Sequence, residues 1–129
     1  LTPRGERQAI RMAQWLERQL PEGTRILCSP AKRTEQTAMA LGRKYKLSSA
    51  ITPQSTADML LAAAQWPTSK NTVLVIGHQP TLGEAVSIVL GFQKPECSVK
   101  KGAVWWLRSR LRPEGDQSIL VTVQTPDML

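Results

Sequence analysis

Two short segments hold the residues that could do chemistry. The first is Cys28-Ser29-Pro30-Ala31-Lys32-Arg33-Thr34-Glu35-Gln36-Thr37. It reads as the end of a buried strand, a sharp turn, and a helix that opens on basic side chains. A guanidinium at the start of a helix stands beside the helix's free N–H groups, and the two together make an anion site. Arginine suits a phosphoryl group because its planar fork offers two parallel hydrogen bonds. The second segment is Val73-Leu74-Val75-Ile76-Gly77-His78-Gln79-Pro80, which repeats the geometry and carries the only histidine in the chain. His78 follows four apolar residues and a glycine, so it is expected at the carboxyl end of a strand, where open α/β sheets bind ligands. Gly77 allows a close backbone turn there. Taken singly, each residue also has a plain reading: Arg33 as a surface cation paired with Glu35 or Glu6, and His78 as a structural histidine. Taken together, two strand-to-helix turns offering Arg33 and His78 point to one phosphate-handling site.

The rest of the chain supplies the elements that must position them. Residues 3–20 form a first helix, with Thr2 as its cap, Pro3 in its first turn and Ala9, Ala13, Leu16 and Leu20 as its buried stripe. Arg25–Cys28 is short and apolar, as a strand covered on both faces should be. Ser29 is expected to cap the second helix with Pro30 at its first position, and Thr34, Thr37, Ala38, Leu41 and Tyr45 line its inner side. A looser segment runs from Leu47 to Thr56. Ser55 and Asp58 bracket a capping box for a third helix running to about Trp66. Val73–Gly77 is the clearest strand. Thr81 and Glu84 make a second capping box, followed by the stripe Leu82, Ala85, Val86, Val89 and Leu90 and by Gly91 as the stop. Ala103–Arg110 and Ile119–Val123 read as a hairpin about the Pro113–Asp116 turn. Trp105 and Trp106, adjacent in a strand, must face opposite sides, and Lys100-Lys101 can guard a sheet edge. Alternating helix and strand, closed by two strands, indicates a three-layer α/β/α domain with a mostly parallel sheet and an antiparallel edge, spanning residues 1–129 as a single domain.

Composition narrows the classes further. The net charge of +7 is concentrated, with ten Lys/Arg against four Asp/Glu in residues 1–47 and seven against six in the remainder. Such a field steers an anionic partner toward the first third of the chain, although a solvated arginine-rich helix face would read the same way. No apolar run reaches the length of a membrane span, and the opening residues do not resemble a signal peptide. Cys28 and Cys97 do not make a disulfide framework, which together with the missing leader suggests a cytoplasmic location. No nucleic-acid motif accompanies the basic residues.

Ser29-Pro30-Ala31-Lys32-Arg33-Thr34-Glu35-Gln36-Thr37 and Ile76-Gly77-His78-Gln79-Pro80, in that order and separation, resemble the histidine phosphatase superfamily. The small size and the opening Leu1-Thr2-Pro3-Arg4-Gly5 are most similar to its SixA phosphohistidine phosphatase branch. The resemblance implies a phosphoglycerate mutase-like fold. It also implies a phosphate pocket to which Arg33 and His78 contribute, and no metal or other cofactor. The implied substrate is a phosphorylated protein or a small phosphate ester; neither nucleic acid nor membrane is implied as a partner. The nucleophile of the family is a different histidine, in an Arg-His-Gly motif that ends a first, interior strand. That motif does not occur in the 129 residues, so the resemblance implies a nucleophile upstream of Leu1. The other reading of the same residues is a non-catalytic anion-binding module. Asp58 falls near the region where larger relatives place a general acid, but it reads more simply as a helix-capping carboxylate and is left out of the catalytic set.

Overall fold

The computed structural model describes residues 1–94, 97–110 and 112–129. Helix α1 (Pro3–Gln19) starts where the sequence predicts, with the Thr2 hydroxyl accepting from the Gly5 amide at 3.0 Å. It buries Met12, Ala13 and Leu16, and Leu20 beyond its end is buried as well. Strand β1 (Arg25–Cys28) follows a short turn and leads into α2 (Lys32–Ala40). A two-residue strand β2 (Lys46–Leu47) and a 3₁₀ turn at Ser49–Ile51 occupy the segment that reads as loose in the sequence. Then come α3 (Ala57–Ala63), β3 (Val73–Ile76), α4 (Thr81–Leu90), β4 (Val104–Arg110) and β5 (Gln117–Gln124), with a second 3₁₀ turn at Pro126–Met128.

β1 lies between β2 and β3 in a parallel sheet, with Arg25 opposite Val73 and Cys28 opposite Ile76. In a strand, neighbouring side chains face opposite sides, and the two faces of this sheet are covered by different helices. Ile26 packs with Ala13, Leu16, Leu20 and Leu41 on the α1 and α2 side, joined by Leu74 and Ile76 of β3. Leu27 packs with Ile51, Ala57, Leu60 and Ala85 on the α3 and α4 side, joined by Val73 and Val75. This is the expected three-layer arrangement. Each fully buried aliphatic side chain in these layers contributes about 1.5–3 kcal/mol.

β4 and β5 form an antiparallel pair, with a register shift between Trp106 and Leu107. Among the described residues no ladder joins this pair to the parallel sheet. Between them runs an apolar groove of about 460 Å³, walled by Leu74 and Val75 of β3 on one side and by Val104, Trp105 and Trp106 of β4 on the other, with Val86 and Val89 of α4 among its lining. Trp106 also packs against the α1-side core, and neither tryptophan is fully exposed.

Three expectations about helix starts need correction. Ser29 does not cap α2: the helix begins at Lys32, behind Ala31, with no side-chain cap. Ser55 does not cap α3 either. Thr56 does so, accepting from the Met59 amide at 3.1 Å, while the Ser55 hydroxyl accepts from the Thr52 amide at 2.9 Å and pins the preceding turn. Thr81 lies inside α4 and donates to the Ser55 carbonyl at 3.3 Å. The α3 helix also stops at Ala63, short of Trp66. Gly91 ends α4 in the left-handed conformation, as the sequence predicts.

Candidate functional site

The site grows from the two turns that follow β1 and β3. Ser29, directly after β1, is fully buried. Its amide donates to the Ile76 carbonyl at 3.0 Å, which carries the parallel ladder one residue past the strand. Its carbonyl accepts from the Ala31 amide at 2.8 Å and from the buried Thr34 hydroxyl at 2.7 Å. These bonds clamp the turn and place Arg33 at the second position of α2. Arg33 is exposed and makes no ion pair among the described residues. A cation in the first turn of a helix opposes the helix dipole, and an anion in front of the helix would offset that small cost.

The second turn is just as tightly built. At Gly77 a Cβ would sit 2.9 Å from Ile51 Cγ2 and 3.5 Å from Leu82 Cδ2, so glycine lets the chain pass between them. His78 comes next, and its carbonyl accepts from the Leu82 amide at 2.9 Å. The Gln79 side chain does the work expected of Thr81: its Oε1 accepts from the Gly83 amide at 2.8 Å, and its Nε2 donates to the Cys97 carbonyl at 3.4 Å.

One bond ties the two turns together. His78 Nε2 lies 2.7 Å from Ser29 Oγ. Every other polar group of Ser29 is already engaged, so the hydroxyl is held in place for the imidazole. A neutral ring can accept from this hydroxyl or donate to it, depending on tautomer. A protonated ring must donate through Nε2, which leaves Nδ1–H as its remaining donor. Burial lowers the pKa of His78 below the ordinary histidine value, and the positive charge of Arg33 lowers it further. Sequence reasoning missed Ser29 and Gln79 as parts of this arrangement. The available signals were a serine immediately after a fully covered strand and an amide side chain directly beside the lone histidine. Asp58 is exposed in the first turn of α3, and no hydrogen bond or ion pair joins it to His78 or Arg33.

A guanidinium, an imidazole and the free amides of a helix start can hold a tetrahedral oxyanion. The direction of the His78 shift gives a pH signature. An anion favours the imidazolium, so its binding draws a proton onto His78. Sulfate, which stays dianionic across this range, is expected to bind more tightly as pH falls toward the depressed pKa of His78 in the free protein. Calorimetric titrations in buffers of different ionisation enthalpy should register the proton uptake, and His78→Asn should flatten the pH profile. The same depression has the opposite effect on the unliganded fold. The unfolded chain takes up the proton first, so stability contributed by His78 is intact above 6.5 and is lost on acidification below it.

With this geometry in view, the kinship of the chain is informative. Residues 1–60 match the profile of the histidine phosphatase superfamily (branch 1). An uncharacterised protein of Picosynechococcus is 32% identical over 117 residues, which cover 84% of this chain and 71% of the relative. Among solved structures, one assigned as a SixA phosphohistidine phosphatase of Nakamurella multipartitia is 30% identical, with a TM-score of 0.73 over 98% of this chain and 84% of that one. The protein histidine phosphatase SixA complexed with tungstate is 26% identical, with a TM-score of 0.77 over 99% of this chain and 85% of the other.

Proposed function

We propose that this chain, which belongs to the histidine phosphatase superfamily, removes the phosphoryl group from protein phosphohistidine by way of a phosphohistidine intermediate of its own. Arg33 holds the phosphoryl oxygens, and His78 donates to them as charge develops. The nucleophile is a histidine N-terminal to Leu1, carried on a strand that fills the groove between β3 and β4. That histidine attacks phosphorus through its unprotonated ring nitrogen as the substrate's N–P bond breaks, and the departing imidazole, already protonated on its other nitrogen, leaves neutral. Water then attacks phosphorus as the enzyme's own N–P bond breaks; its proton goes to the freed imidazole or to the phosphate, and inorganic phosphate departs.

The observation that carries this reading is the Ser29–His78 hydrogen bond, which couples the turn bearing Arg33 to the turn bearing the imidazole. The groove supports the strand: it is apolar, and backbone edges of β3 and β4 that are unpaired among the described residues border it. A strand inserted there satisfies both edges at once. The tungstate complex of the SixA neighbour supports a pocket for a tetrahedral oxyanion. An exposed Arg33 suits a phosphoryl group borne on a protein better than an enclosed small ester.

The test is to produce the gene-encoded protein with any residues that precede Leu1. Phosphate release from a phosphorylated histidine phosphotransfer domain is then compared with release from p-nitrophenyl phosphate. The expected result is a clear preference in kcat/KM for the phosphorylated domain, with an acid-labile, base-stable label trapped on an upstream histidine. A preference for the small ester overturns the substrate assignment. Absence of any trapped label, with sulfate binding intact, favours a non-catalytic phosphate-binding module, a reading supported by His78 being the only histidine in these residues and already engaged by Ser29.

A further inference from the structure

Four of the ten basic residues in the first third of the chain lie in α1, at Arg4, Arg7, Arg11 and Arg18. Their spacings of three, four and seven residues put them on one face of the helix. All four are exposed, on the side opposite the buried Met12, Ala13 and Leu16. The ion pair found among the described residues is Arg43 with Glu17, and none of the four takes part in it. Like charges at this spacing repel one another, so the unliganded stripe carries an electrostatic cost that an anionic partner relieves.

The stripe also starts toward the end of the sheet that carries the site. A short turn joins α1 to β1, so the helix runs antiparallel to the strand and its first turn lies at the end of the sheet where β1 gives way to Ser29. A direct contact agrees with this topology: the Leu1 backbone nitrogen lies 2.7 Å from Gln36 Oε1, and Gln36 lies one helical turn beyond Arg33. From there the stripe extends for about 21 Å at the ordinary helical rise.

We propose that Arg4, Arg7, Arg11 and Arg18 form a docking stripe for an acidic protein surface, the surface that surrounds the phosphoryl group presented to Arg33 and His78. This rests on the phosphatase reading for its direction, since continuity with a phosphoryl site selects a phosphorylated protein as the occupant. A single-stranded nucleic acid fits less well. Its bases need aromatic platforms, and the one aromatic of α1, Trp15, packs against the core.

The test uses the full chain and two synthetic peptides bearing the same stable phosphohistidine analogue, one flanked by glutamates and the other by glutamines. In low salt the acidic peptide is expected to bind about tenfold more tightly, the scale of several exposed ion pairs acting together. That advantage should vanish in the Arg4→Gln/Arg7→Gln/Arg11→Gln variant and in high salt, with the helical circular dichroism of the variant unchanged. Equal binding of the two peptides, or an advantage that survives in the variant, overturns the proposal. So does tighter binding of a single-stranded RNA than of the acidic peptide. Sulfate binding, measured alongside, reports separately on Arg33 and His78: its absence sinks the phosphatase reading, while the comparison of peptides still decides the stripe.

Discussion

Alanine in place of His78 is expected to lower phosphatase turnover by about a hundred- to a thousandfold, and alanine in place of Arg33 by a comparable factor, the scale seen when a donor to a developing oxyanion is removed. A phosphoryl group in transfer spreads negative charge over its equatorial oxygens, and groups already aimed at it need no reorganisation when the reaction occurs. His78 is held by Ser29 at 2.7 Å, and the backbone that carries Arg33 by the clamp of hydrogen bonds around the Ser29 carbonyl. The two variants should differ in stability. His78→Ala strands a fully buried hydroxyl and is expected to cost about 1–3 kcal/mol. Arg33 is exposed and unpaired among the described residues, so Arg33→Ala should melt like the parent. Parallel turnover and urea-unfolding measurements on the gene-encoded protein separate loss of chemistry from loss of fold. Turnover within a few-fold of the parent in the Arg33→Ala enzyme contradicts the site.

Gly83→Ala is expected to destabilise the protein by about 1–3 kcal/mol, where a glycine inside a helix ordinarily gains about 0.8–1 kcal/mol on conversion to alanine. The sign reverses because of one contact. A Cβ at Gly83 would lie 1.8 Å from the Cys97 carbonyl oxygen and 3.0 Å from its carbon. Both atoms belong to the backbone, so no side-chain rotation relieves the clash and Cys97 must move away. Its amide then loses the bond to the Gly83 carbonyl, now 3.0 Å, and Gln79 Nε2 loses its partner beside His78. A lower urea midpoint with an unchanged slope is the expected outcome, whereas a rise in the midpoint would show that the Cys97 segment does not rest on α4.

The same two regions show what a reader of the sequence can and cannot see. Local signals carried over directly: Thr2 and Pro3 start α1, Gly91 ends α4, and the apolar runs at Arg25–Cys28 and Val73–Ile76 are strands. Each depends on residues within a few positions of one another. Where a partner far along the chain decides the outcome, the local signal misleads. Ser29 has the composition of a helix cap, but its hydroxyl is claimed by an imidazole 49 residues away. Ser55 stands one residue from a true cap, and the closing of the Thr52 turn takes it instead. β2 is two exposed residues with no periodicity to detect, and it exists because β1 offers it a ladder. The turns that carry Arg33 and His78 were legible because strand ends in α/β folds are recognisable from the apolar runs that precede them. Their coupling was not, because it runs through Ser29.

That coupling also gives the protein a natural magnetic-resonance probe. His78 is the one imidazole of these 129 residues, and the pair of lines from its two carbon-bound ring protons is told from those of an upstream histidine by its loss in the His78→Asn variant. The ring is tethered to the opposite crossover, so the pair should move when an oxyanion arrives and broaden when either turn loosens. Occupancy and integrity of the pocket can thus be followed together, without isotopes or a dye.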